Sequence, residues 1–192
     1  MNDRARLVRR GLRLEYATLL WNAFGVVVLV RAALAARSIA LAGFSFDTLV
    51  EIGASAVVVW ELKGVSADRE RRALRLIGIA FVVLVIYLVT LTTFAIARHV
   101  HPLHSPLGIA WTAATALAMF LLAFAKSRVG AAMESAVLRT EARVTLIDGY
   151  LATAVLIGLS ANAWFAWWWA DPLAGLVVVY YSILEARAAL RH

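Results

Sequence analysis

The chain has 192 residues, 63% of them hydrophobic and only 16% charged, with a mean hydropathy of +0.82 and a formal net charge of +7. Soluble domains run near 45–50% apolar and about 25% charged, so this composition excludes a soluble enzyme domain, a disordered chain and a secreted disulfide scaffold. The sequence contains no cysteine, which removes zinc fingers, iron–sulfur sites and thiol nucleophiles as well.

A bilayer-spanning helix needs about 20 residues, so the apolar content supplies roughly six spans and little else. The N-terminus is basic (Arg4, Arg6, Arg9, Arg10, Arg13), but the apolar run behind it is too long for a cleavable signal and lacks an A-x-A site. Hydropathy predicts spans at 14–35, 39–62, 73–97, 107–126, 144–165 and 172–189. Alternating ten-residue barrel segments are not seen. The expectation is an all-α membrane protein, a single transmembrane domain over 1–192 of six helices with no soluble domain.

In chain order, span one holds Asn22 in LLWNAFGVV, and span two places Asp47 and Glu51 near its middle in SIALAGFSFDTLVEIGASAVVVW. Three histidines, His99, His101 and His104, crowd the loop after span three. That loop reads either as solvated chain or as a place where a departing metal pauses. Span five opens VTLIDGYLATAVLIGL, with Asp148 about one turn inside. Trp167, Trp168 and Trp169 then stand where an aromatic belt would meet the headgroups. Asp171-Pro172 starts span six, with proline in the first turn where its missing N–H costs least.

Sixteen of the 19 basic residues fall on one side of these spans; only Arg31, Arg37 and Arg98 fall on the other. The positive-inside rule therefore predicts that both termini are cytoplasmic. The net positive charge describes orientation and does not point to nucleic acid.

Carboxylates inside apolar runs are the informative residues. Each costs on the order of 2.5–3.5 kcal/mol in a spanning helix, so Asp47, Glu51 and Asp148 together would forfeit roughly 8–10 kcal/mol if left unpaired. Asp47 and Glu51 are four residues apart and share one helix face. Like charges at that spacing repel, and the conflict is relieved by binding protons or by binding a cation. Arg31 reads as the only basic residue well inside a span, and it can snorkel to the outer surface. One cation cannot neutralise three carboxylates, so metal or proton chemistry is favoured over structural pairing. Asn22 is open between supporting such a site and joining helices by an interhelical hydrogen bond.

These residues resemble the cation diffusion facilitator family of metal–proton antiporters. Ser38-Ile39-Ala40-Leu41 followed by Asp47-Thr48-Leu49-Val50-Glu51 is similar to the family's span-two motif, with Glu in place of its usual second Asp. Ser135-Ala136-Val137, Arg139, Glu141, Val144 and Asp148 resemble its stretch before span five, and Ala170-Asp171-Pro172 with Gly175 resembles its span-six opening. The resemblance implies Asp47, Glu51 and Asp148 as metal ligands and Glu141 as the acidic residue at the cytoplasmic mouth, a gate or accessory group; Asn22 is an accessory candidate on its own chemistry. Two departures stand out. The ligand expected four residues before Asp148 is Val144, leaving Thr145, Asn22 or water to fill the gap. The chain also stops about three residues after span six, as in a short branch without the C-terminal cytoplasmic domain.

The resemblance implies a secondary active transporter, not an enzyme. Its cargo is a divalent cation, Zn2+ first and Mn2+ or Fe2+ behind it, carried outward by alternating access in exchange for protons. Its partners are the lipid bilayer, the metal and protons, and a second copy paired through transmembrane helices. No resident cofactor is implied, and the place is a bacterial inner membrane. The rival readings are a non-transporting membrane scaffold of the same fold and a small channel.

Overall fold

Among the residues that the computed structural model describes, 3–62, 67–98 and 101–190, the chain forms six α-helices and no strand. They are α1 (Asp3–Ala36), α2 (Ile39–Leu62), α3 (Ala67–Ala97), α4 (Pro106–Ala132), α5 (Ala136–Phe165) and α6 (Ala170–Leu190). Lys63, His99 and Arg191 lie outside the described residues. By length and composition α1, α4 and α5 can each cross a membrane, and 81–97 and 170–184 are shorter apolar stretches of α3 and α6.

The helices overrun the predicted spans at the basic end of the bundle. The stretch 127–143, predicted as the loop between spans four and five, shrinks to a three-residue turn, and α4 and α5 form a tight helical hairpin. Local chemistry explains it. Glu134 adopts φ 52°, which reverses the chain. Ser135 then caps α5, its side chain accepting from the Leu138 N–H at 3.2 Å. The helices cross where Gly130 has no side chain; a Cβ there would sit 3.1 Å from the Arg139 backbone nitrogen.

Polarity is inverted relative to a soluble domain. Leu20, Leu34, Leu117, Phe124, Ile157 and Trp164 are exposed, while Glu15, Thr18, Asn22, Glu51, Thr112, Lys126 and Asp148 are buried. Lipid can solvate the first set but not the second, so the apolar side chains face outward and the polar ones find partners inside. The fold is thus an all-α membrane bundle. Within it α1, α2, α5 and α4 pack in a closed ring, and α3 and α6 form a pair laid against α2, with α6 also touching α5.

At the end away from the basic residues, Asp171 joins α6 to α2. It is 1% exposed. Ser38 Oγ donates to its Oδ1, and the Ile39 and Ala40 N–H groups donate to its Oδ2 at 2.8 and 3.3 Å. These are first-turn donors of α2 that would otherwise be orphaned. Ser38 Oγ in turn accepts from the Leu41 N–H. The residue that the sequence reads as the start of α6 therefore also caps the helix carrying Asp47 and Glu51. We expect Asp171→Ala to lower unfolding stability in detergent by about 1.5–3 kcal/mol, the range for hydrogen bonds to a charged group, with Asp171→Asn retaining part of it. Thermal unfolding of the purified variants checks both.

The same end is closed by the 101–105 segment. Leu103 N–H donates to Ala36 O at 2.7 Å, Asn162 Nδ2 donates to Pro102 O at 3.0 Å, and His101 stacks on Trp168. His101 and His104 are exposed. Trp167 and Trp169 stack on each other and are exposed beside this end.

Candidate metal site

Each helix of the ring turns one polar stripe inward. On α1 the stripe is Glu15, Thr18 and Asn22; on α2 it is Asp47, Thr48, Glu51 and Ser55. On α4 the buried residues are Gly108, Thr112, Thr115, Ala116, Met119, Ala123, Lys126 and Gly130. On α5 the stripe is Glu141, Thr145 and Asp148. Steps of three and four residues keep these groups on one helix face, so ring closure alone brings them together.

Asp47, Glu51 and Asp148 meet inside this ring, each under a tenth exposed. Asp148 on α5 is the hub, in hydrogen-bonding range of both Glu51 and Asp47 on α2. Asn22 on α1 holds the far side of the pair, its Nδ2 donating to Glu51 Oε2 at 2.9 Å. Two carboxylate oxygens, Glu51 Oε1 and Asp148 Oδ1, are buried with no donor. The arrangement is not a closed cage: among the described residues no three His, Asp or Glu side chains have the spacing to hold a metal ion. What exists is a carboxylate pair on one helix facing a single carboxylate on another. Val144, where a fourth ligand is expected, is half-buried and offers no donor atom.

The structure corrects the reading that Arg31 is the only basic residue inside a span. Lys126, counted from sequence as a cytoplasmic surface charge, is fully buried. Its ammonium donates to Glu15 Oε2 at 3.1 Å, Glu141 Oε1 at 3.3 Å and Thr145 Oγ1 at 3.0 Å. Ser55 Oγ also donates to Glu141 Oε1, at 3.0 Å. Glu141, expected at the cytoplasmic mouth, is 4% exposed and enclosed by these partners. Thr145, a candidate for the missing ligand, is engaged by Lys126.

Sequence reasoning missed Glu15 and Lys126, though a signal was present. Glu15 lies seven residues from Asn22, and Lys126 eleven from Thr115, two and three helical turns on the same faces. Hydropathy averages over a helix and discards this phase.

The cation efflux transmembrane domain matches residues 71–192 of the chain, a segment that includes Lys126, Glu141 and Asp148 but starts after Asp47 and Glu51. No curated protein matches the chain significantly.

Proposed function

The chain belongs to the cation efflux family, and from that premise we propose that this metal-cation transporter exports a divalent cation, Zn2+ first among candidates, in exchange for protons. The observation that carries the reading is the meeting of Asp47, Glu51 and Asp148 with two buried oxygens that lack any donor. Carboxylates in contact repel when all are ionised, and a shared cation or protons remove that repulsion. A site able to take either is what exchange requires. Zn2+ accepts carboxylate oxygens at about 2.0–2.2 Å, and Mn2+ and Fe2+ also suit oxygen donors. Mn2+ and Fe2+ therefore stand behind Zn2+.

In this reading the basic end of the bundle faces the cytoplasm of a bacterial inner membrane. Metal reaches Asp47, Glu51 and Asp148 from that side, the ring of α1, α2, α4 and α5 re-opens outward, and protons displace the metal. Each proton returning inward contributes about 2.3 kcal/mol per 100 mV of membrane potential. The exposed apolar helix faces are where a second copy would pair.

Titration calorimetry of the purified chain with Zn2+, Mn2+ and Fe2+ tests the site. We expect saturable binding to wild type and none to Asp47→Ala. Absence of saturable binding to wild type overturns the reading in favour of a non-transporting scaffold. The hydrogen bond from Asn22 orients Glu51 and should matter less than a ligand. Asn22→Leu is expected to weaken binding about 10–100-fold, the usual cost of losing a group that orients a ligand, in the same titration.

A further inference from the structure

The Lys126 cluster lies on the basic-end side of the three carboxylates, on the same four helices. Ser55 is one turn beyond Glu51 on α2, Glu141 two turns before Asp148 on α5, and Glu15 two turns before Asn22 on α1. At about 1.5 Å per residue these offsets amount to about 6–10 Å along the bundle. Lys126 stands 20 residues into α4 from Pro106, about 30 Å along the helix, near the inner edge of a typical hydrocarbon layer.

Two carboxylates from α1 and α5 and the Thr145 hydroxyl thus converge on one ammonium, and the Ser55 hydroxyl of α2 donates to one of those carboxylates, Glu141. The match is incomplete, because Glu15 Oε1 is buried with no donor. Three hydrogens on a single nitrogen cannot serve every oxygen around it. Oxygen donors of this kind are the ligands of hard and borderline cations.

We propose that Glu15 and Glu141, with Ser55 and Thr145, form a second cation site on the route to Asp47, Glu51 and Asp148, and that the Lys126 ammonium is a tethered cation occupying it. A divalent metal arriving from the basic end displaces Lys126, sits transiently between Glu15 and Glu141, and passes on; the ammonium then returns and closes the route behind it. The inference rests on the transporter reading for the direction of passage, but not for the existence of the site.

The test is Zn2+ titration of the full-length chain in detergent. Wild type and Lys126→Arg should bind one metal per chain. Lys126→Met should bind two, with the additional site surviving Asp47→Ala. The Glu15→Gln/Lys126→Met/Glu141→Gln variant should return to one. A Lys126→Met chain that binds only as wild type does overturns the second site, whereas wild type binding nothing while Lys126→Met binds one overturns only the Asp47–Glu51–Asp148 assignment. If Lys126→Met does not survive purification, thiol labelling decides, since the chain has no cysteine of its own. Ser55→Cys should label from the basic side at least tenfold more slowly with Lys126, Glu15 and Glu141 intact than in the neutral triple background. Equal rates overturn the proposal.

Discussion

Asp148→Asn should abolish proton-driven Zn2+ uptake into proteoliposomes, lowering the initial rate by more than about 100-fold, while leaving the protein at least as stable in chelator as wild type. The two effects have opposite signs for one reason. Asp148 is the residue that both α2 carboxylates approach, so its loss takes away the only contribution from α5 to the trio. Loss of an orienting group alone costs about 10–100-fold at metal sites, and loss of a ligand exceeds that. In the metal-free protein, however, the same carboxylate faces two others and leaves Oδ1 without a donor. An amide there supplies an N–H to Glu51 or Asp47 and removes one charge from the contact. Asp47→Ala should likewise reduce uptake to background. Wild-type rates in Asp148→Asn and Asp47→Ala would remove both residues from the transport site, whatever their effect on folding.

Lys126→Met should be the most damaging single change to stability, at about 3–5 kcal/mol, because it leaves Glu15 and Glu141 buried without a counter-charge. The Glu15→Gln/Lys126→Met/Glu141→Gln variant should recover to near wild-type stability, since replacing a whole buried ionic cluster by neutral groups of similar shape is often neutral or stabilising. Thermal unfolding in detergent separates the outcomes. A single variant as stable as wild type would mean that the ammonium contributes little net energy there. The expected non-additivity is large because the three groups share hydrogen bonds. Added Zn2+ should raise the unfolding temperature of Lys126→Met more than that of the triple variant, because binding to the folded state stabilises by mass action and only the former keeps Glu15 and Glu141.

Composition and the 3.6-residue period made much of this molecule legible. About 20 apolar residues in a row can satisfy their backbone only as helix in lipid, so six helices followed from hydropathy. Asp47, Glu51 and Asp148 stood out because a carboxylate in such a run is expensive. Helix ends were less legible. Lys126, Arg128, Arg139 and Arg143 look like loop residues to a hydropathy scale, yet α4 and α5 continue through them, because Ser135 and Glu134 supply a complete cap and reversal within three residues. Charge along a helix end raises the cost of burial in lipid but does not oppose helix formation.

Sequence by itself determined the membrane setting and the number of helices among the described residues, and it singled out Asp47, Glu51 and Asp148 as carboxylates costly to bury. Each of these depends on a property of one segment, its transfer cost and its period. Only the tertiary structure decided that Asp148 lies against Glu51 and Asp47, that Asp171 of α6 caps α2, and that Lys126 points inward to Glu15 and Glu141 rather than outward to phosphate and water. Those facts depend on the rotation of one helix against another. That rotation is chosen when α1, α2, α4 and α5 close their ring and each buried polar group must find its partner on a neighbouring helix.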